Sequence, residues 1–232
     1  MKQTSPAAER NKQAILKVLT PLLSQGDIVL EIASGTGQHG AFFTQKIPNL
    51  KWQPTDLRSE AIKSIASYRK ESHQDRFLEP RLLDVNKPSE THDSLVRPQY
   101  YNSVFCANMI HISPFQSCLA LLELAARVVK PNGTLILYGP FKQKDRELEA
   151  SNQQFHESLV KRDPSWGIRE LEKVKAEATA KGFHHLETHQ MPANNLTVVF
   201  QNSKQPQIST QDKAPLRKKA YYVFLLAFIL RP

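Results

Sequence analysis

The chain has 232 residues, 40% hydrophobic and 23% charged, with 31 basic and 22 acidic side chains. That composition excludes disordered, collagenous and coiled-coil chains and suits one α/β domain. Two cysteines, Cys106 and Cys118, are too few for a disulfide framework or a four-thiolate metal site, so buried, reduced thiols are expected.

The net charge of +9 raises nucleic-acid binding, but residues 201–232 carry Lys204, Lys213, Arg217, Lys218, Lys219 and Arg231 against Asp212 alone. The body therefore holds less than half of the excess, with no arginine-rich helix or aromatic–basic interleaving. The first twelve residues lack the apolar core of a signal peptide, so a cytoplasmic chain is expected.

Along the chain, Ile15, Val18, Leu19 and Leu22 repeat at i, i+3, i+4, i+7 and predict an amphipathic helix over 6–23, with Ser5 as its cap and Pro6 in its first turn. A buried strand is expected at 27–33, a helix at 37–46, a strand at 50–56 and a helix at 58–72. Strands at 81–85, 100–107 and 133–139 follow, with a helix at 114–130 carrying Phe115, Leu119, Leu122, Ala126 and Val129 on one stripe. Such alternation is the pattern of a mostly parallel sheet. Helices at 143–162 and 168–181 come next, then strands at 183–191 and 196–201. The turn between those last two is too short for a crossover, so they pair antiparallel.

The segment Glu31-Ile-Ala-Ser-Gly-Thr-Gly37 leaves the first strand through a glycine-rich turn into a helix. Gly35 and Gly37 remove Cβ atoms that would block a ligand from the backbone. Gly35, Gly37 and Gly40 also fit the dinucleotide fingerprint, with Asp56 as the ribose-binding acid, which keeps an NAD(P)- or FAD-dependent oxidoreductase open. Against it, Glu31 ends the first strand where a pyrophosphate would meet negative charge, and Asp84 ends the third strand as Asp56 ends the second. Three acids in one crevice suit a ligand bearing an ammonium, a ribose diol and an amino-purine, and S-adenosylmethionine (SAM) carries all three.

Glu31 to Gly37 is similar to motif I of class I SAM-dependent methyltransferases, with Ala33 where the family usually has its first glycine. Ser5-Pro-Ala-Ala-Glu-Arg-Asn-Lys12, Trp52-Gln-Pro-Thr-Asp56, Phe105-Cys-Ala-Asn-Met-Ile-His-Ile112, Leu137-Tyr-Gly-Pro-Phe141, Arg162-Asp-Pro-Ser-Trp-Gly-Ile168 and Met191-Pro-Ala-Asn-Asn195 resemble the methyltransferase-like protein 26 family, a domain of unknown function numbered 938. The resemblance covers about residues 4–201. It implies a Rossmann-like α/β fold: a seven-stranded mixed sheet of order 3-2-1-4-5-7-6, last strand antiparallel, with helices on both faces. The methyltransferase domain is then 1–201, followed by a basic-then-apolar tail at 202–232.

By this resemblance SAM is the cofactor, without metal. Glu31 lies near its ammonium, often through water, with Ala33, Ser34, Gly35 and Gly37 along the methionine. Asp56 takes the ribose hydroxyls, with Leu57 beside it. Asp84 takes the adenine amino group, with the Val85 amide facing the ring. Asn108 and Met109 border the cofactor, and Arg10 reaches the methionine carboxylate from a lid. His111 is the candidate base for an acceptor that must lose a proton; its other reading is a histidine bonded to backbone beneath the site. Asn108-Met-Ile-His111 lacks the Pro-Pro-aromatic stretch of amino-group methyltransferases acting on nucleobases or glutamine. A small-molecule acceptor is therefore expected over nucleic acid or protein. A non-catalytic SAM-binding or interaction protein is the remaining alternative.

Arg162, Asp163 and Trp166 form either a substrate cover or a structural turn. His184, His185 and His189 read as strand residues because no cysteine or paired acid completes a metal set. The eleven apolar residues at 220–230 are too short to span a bilayer as a helix, about 16 Å against a hydrocarbon core near 30 Å. Packing on the domain or disorder is expected there, with self-association or weak membrane-surface contact as the alternatives.

Overall fold

In the computed structural model, which describes residues 1–87 and 95–203, α1 (Pro6–Leu22) begins where the sequence places it. The Ser5 hydroxyl accepts the Ala8 amide at 3.3 Å, and Pro6 fills the first turn. The helix lays Ile15, Val18 and Leu19 on the sheet. The expected tail lies, beyond residue 203, outside the described residues.

Strands β1 (Ile28–Ile32), β2 (Lys51–Asp56), β3 (Arg81–Leu82), β4 (Tyr101–Ala107) and β5 (Val129–Gly139) are mutually parallel. Two further strands form a short ladder of their own, β6 (Phe141–Lys142) with β7 (Arg169–Glu170). Strand β8 (Phe183–Met191) turns through 192–194 into β9 (Asn195–Asn202), which pairs antiparallel with both β8 and β5. The large sheet runs β3-β2-β1-β4-β5-β9-β8. With the two-residue ladder set apart, this is the expected order. The insertion of antiparallel β9 between β5 and β8 separates it from the all-parallel 3-2-1-4-5-6 dinucleotide sheet.

One face is covered by α1, α2 (Gln38–Lys46) and α3 (Ser59–Lys70), packed on Trp52, Phe43, Phe77 and Phe105. The other is covered by α4 (Phe115–Val128) and α6 (Leu171–Ala180), packed on Val104, Leu135, Val198 and Phe200. Of the expected stripe, Leu122 and Ala126 are buried on α4 and Val129 at the start of β5, while Phe115 and Leu119 are half-buried; Cys118, Leu121, Ala125 and Val128 are buried as well. Both cysteines are buried free thiols.

Three boundaries differ for identifiable reasons. Strand β3 stops at Leu82 because Asp84 closes a turn, its carboxylate accepting the Asn86 amide at 2.9 Å. The helix expected from 143 starts only at α5 (Ala150–Arg162), because Phe141 and Lys142 are in the β6–β7 ladder and Asp145 takes a left-handed φ of 59°. That ladder also delays α6 to Leu171.

Gly40 is the tightest point between α2 and β2: a Cβ there would lie 2.5 Å from Phe77 Cε2 and 2.6 Å from Trp52 Cδ1. Gly40→Ala is expected to cost about 1–3 kcal/mol by overpacking, read as a lowered midpoint in urea with an unchanged slope.

Candidate functional site

The rim formed by the carboxyl ends of β1, β2, β4 and β5 is where open α/β sheets bind ligands. The loop after β1 is held there by its own backbone. The Ser34 amide donates to Thr55 O at 2.8 Å, the Gly37 amide to Ser34 O, and the Thr55 amide to Ser34 Oγ at 3.1 Å. Ala33, Gly35 and Gly37 have φ of 57°, 60° and 92°. The glycines divide the work. A Cβ on Gly37 would meet the Ile65 backbone at 2.9 Å, whereas one on Gly35 would meet nothing within 4 Å. Gly37 lets α3 approach, and Gly35 faces open space. Ala33 holds a left-handed conformation that costs an alanine roughly 1–2 kcal/mol.

Asp56, 3% exposed, receives the Gly35 amide on Oδ2 at 2.9 Å and the Arg58 amide and Nε on Oδ1 at 3.0 and 3.2 Å. A carboxylate offers about four acceptor positions, so one remains free, and a second opens when the largely exposed Arg58 side chain turns away. The Leu83 amide donates to Asp56 O at 3.0 Å, which brings the end of β3 and half-buried Asp84 beside it. The Asp84 carboxylate caps its own turn. Val85 packs into the core, while Leu57, 62% exposed, stands at the rim.

Glu31 is the surprise. It is 1% exposed and lies beneath the loop, where Oε2 accepts the Trp52 indole N–H at 2.8 Å. Burial pushes its carboxyl up to about 7, opposed by the Trp52 and Ser34 hydrogen bonds. Turned into the protein and near neutrality, Glu31 would repel a pyrophosphate only weakly. What sets this sheet apart from the dinucleotide-binding one is its strand order.

Between β4 and α4 the chain turns at Asn108, which has a left-handed φ of 62° and donates its amide to Tyr138 O at 2.8 Å. Met109 and Asn108 are half-buried at the rim. His111 is fully buried: Nδ1 accepts the Arg169 amide at 3.3 Å, its carbonyl accepts the Gly167 amide, and its ring meets Phe141 edge-on. With Nδ1 accepting, the proton sits on Nε2, which has no partner among the described residues and lies where a Cβ of Gly139 would be. Burial, with the charge of Arg169, lowers the imidazole to about 3. In this structure the Nδ1 lone pair is thus engaged by a backbone amide beneath the site.

A polar seam that sequence reasoning missed fastens α1 across the loop. Asn11 Oδ1 pairs with His39 Nε2 at 2.7 Å, and Gln38 takes the Ser5 amide while donating to Glu9 at 3.0 Å. Asn11 also hydrogen-bonds Tyr138 at the end of β5, and Arg10, exposed on the same turn, feels that phenol electrostatically. The signal was present in the Glu9-Arg-Asn11 and Gln38-His39 pairs, but a polar face normally reads as a solvated one.

Elsewhere, Asp163 accepts from Ser165 in a turn, and the Arg162 guanidinium lies 5.1 Å from the Trp166 ring. His184, His185 and His189 are on β8; the first two bond Ser203 and Thr188, and His189 Nε2 lies 3.1 Å from a Glu187 carboxylate oxygen. Among the described residues no group of three or more histidines, cysteines and acids is placed to hold a metal, and no helix is long and apolar enough to cross a membrane. A cleft of about 710 Å³ is lined by Lys142, Lys144, Arg146, Glu147, Glu170 and Glu172, beside the β6–β7 ladder.

The buried titratable groups set a pH dependence. His39, lowered to about 4 by burial, and His111 stay neutral in the fold but protonate when unfolded below pH 6.5. Each removes up to about 1.4 kcal/mol per pH unit on acidification from there towards its folded value. Glu31 acts oppositely: its raised value gives stability that is full below about 4.5 and lost as pH rises through 7. Urea titrations at pH 6.5, 5.5 and 5.0 are expected to show falling stability, more steeply in Glu31→Gln and less steeply in His111→Gln.

Structural comparison finds the same fold in several methyltransferases. The O-methyltransferase family 2 protein from Planctomyces limnophilus, solved with apigenin, superposes with a TM-score of 0.68 at 18% identity, over 84% of this chain and 58% of that one. An O-methyltransferase family protein from Burkholderia thailandensis gives 0.69 at 16%, over 86% and 58%. A protein assigned as a sarcosine dimethylglycine methyltransferase from Galdieria sulphuraria gives 0.65 at 15%, over 85% and 87%. This chain thus spans a little over half of the first two and most of the third. It has the Rossmann-like class I methyltransferase fold. A family model described as "Protein of unknown function (DUF938)" matches residues 2–202, and the chain belongs to that family.

Proposed function

We propose that the protein is a SAM-dependent methyltransferase acting on a small-molecule acceptor. The observation that carries this reading is the opening at Gly35, whose own amide is tied to the Asp56 carboxylate at the end of the next strand. A Cβ-free backbone beside a buried carboxylate with spare acceptor capacity fits a ribose and the chain that leads from it. The likeness to methyltransferases in fold supports the same ligand.

When bound, SAM supplies a methyl group on a positively charged sulfur. The residues here supply placement. Asp56 orients the ribose, exposed Leu57 offers an apolar surface to the adenine, and the Asp84–Val85 turn borders its edge. Asn108 and Met109 flank the sulfur side, and Arg10 supplies a cation for the methionine carboxylate from α1. Methyl transfer is an in-line displacement, so alignment and exclusion of water do most of the work. With the His111 lone pair occupied, an acceptor that reacts as its neutral amine or already ionised form suits this rim best. The absence of a Pro-Pro-aromatic stretch after Asn108 supports a small acceptor, as does the apigenin bound to the Planctomyces limnophilus protein.

Calorimetry on the full chain with S-adenosylhomocysteine, and separately with NAD, tests this reading. S-adenosylhomocysteine is expected to bind and NAD not to. Asp56→Ala removes hydrogen bonds to a charged acceptor, worth up to about 1.5–3 kcal/mol each, and is expected to weaken binding at least about tenfold. Gly35→Ala has space for its methyl in the free protein, at the roughly 1–2 kcal/mol that a left-handed alanine costs, but none once a ligand lies against the loop, so affinity should fall by more than stability. NAD binding without S-adenosylhomocysteine binding would overturn the assignment.

A further inference from the structure

The segment between α5 and α6 does more than connect them. From β7, Arg169 donates Nε to Ile110 O at 2.8 Å and Nη2 to Ser113 O and Ser165 O, while its own amide reaches His111 Nδ1. The Gly167 amide adds a bond to His111 O at 2.9 Å. Residues 165–169 therefore hold the turn after β4 at three successive points, 110, 111 and 113. The guanidinium is half-buried against the Phe115 ring, 5.6 Å from its centroid, and forms no ion pair among the described residues. A partly buried cation whose contacts are nearly all carbonyls is placed for shape: the planar fork spans acceptors on two segments at once, which a lysine ammonium cannot reproduce.

The turn so held is the one that begins at Asn108 in its left-handed conformation. We infer that Arg169 is a positioning residue, which fixes the 108–113 turn at the rim and so sets the cofactor-facing positions of Asn108 and Met109. This inference rests on the methyltransferase reading. Its physical content is that a strap from the segment between α5 and α6, and not the turn's own two-bond 3₁₀ geometry, determines where that part of the pocket lies. The His111 Nε2 proton, unpartnered among the described residues and facing Gly139, fits such a clamp. The imidazole serves as an acceptor for the strap on one edge and as a wedge under the end of β5 on the other.

The test compares full-chain Arg169→Lys and Arg169→Ala with the unaltered protein, well below all melting temperatures. Two readouts are taken: S-adenosylhomocysteine affinity by calorimetry, and amide hydrogen exchange across 109–113. Arg169→Lys is expected to weaken binding about fivefold and Arg169→Ala at least tenfold, both with faster exchange in 109–113. Millimolar ethylguanidinium, added to Arg169→Ala, is expected to restore affinity and protection in part, which packing alone would not produce. Folded variants with unaltered affinity and exchange would overturn the inference, as would faster exchange with unaltered affinity. If Arg169→Ala does not fold, Arg169→Lys carries the same two readouts. Failure of the unaltered chain to bind S-adenosylhomocysteine would instead overturn the methyltransferase reading, with exchange in 109–113 still reporting whether the clamp exists.

Discussion

The hydrogen bond from the Gly35 amide to the Asp56 carboxylate governs the site. It joins the loop after β1 to the last residue of β2, so two strand ends are fixed against one another before any ligand arrives. Everything around it is conditional on that spacing. Ser34 and Thr55 exchange bonds one step below, and Trp52 reaches across the sheet to Glu31 one step below that. The Leu83 amide brings in the third strand end through the Asp56 carbonyl. A carboxylate already engaged by a backbone amide is held in one rotamer, which is a favourable starting state for accepting hydroxyl groups.

Glycine and alanine share this loop in an instructive way. Three positions need left-handed backbone, yet only Gly37 is also crowded by a neighbouring helix and only Gly35 also faces open space. Ala33 meets the backbone demand at an energetic cost, and the network of Ser34 and Thr55 hydrogen bonds holds it there. Gly40, often grouped with the other two in a motif, has a role in packing alone.

Much of this was legible in the sequence. Periodicity placed the strands and helices that carry long apolar runs, because burial alone decides those. The antiparallel pairing of the last two strands followed from the short turn at 192–194. Elements fixed by tertiary hydrogen bonds were not legible. The β6–β7 ladder is two residues on each side, and neither Phe141-Lys142 nor Arg169-Glu170 has a period to detect. Arg169 read as part of a helical surface, though it is held by three carbonyls. Glu31 is a strand-end acid in the sequence, but its direction is decided by an indole 21 positions away. His111 stands out in the sequence for its chemistry, but the backbone amide that meets its Nδ1 comes from Arg169, 58 positions away.

Helix α1 divides its burial between two kinds of contact. Its second half is anchored by Ile15, Val18 and Leu19 in an apolar layer, whereas its first two turns are held by Ser5, Glu9 and Asn11 through polar bonds to Gln38 and His39. Water can replace hydrogen bonds at small net cost, but it cannot replace apolar contacts. Opening therefore runs in one direction along the helix, from the end over the glycine loop toward the end in the core. The same helix is thus held by apolar packing on the sheet at one end and by polar bonds beside the glycine loop at the other, and the dividing line falls between Asn11 and Ile15.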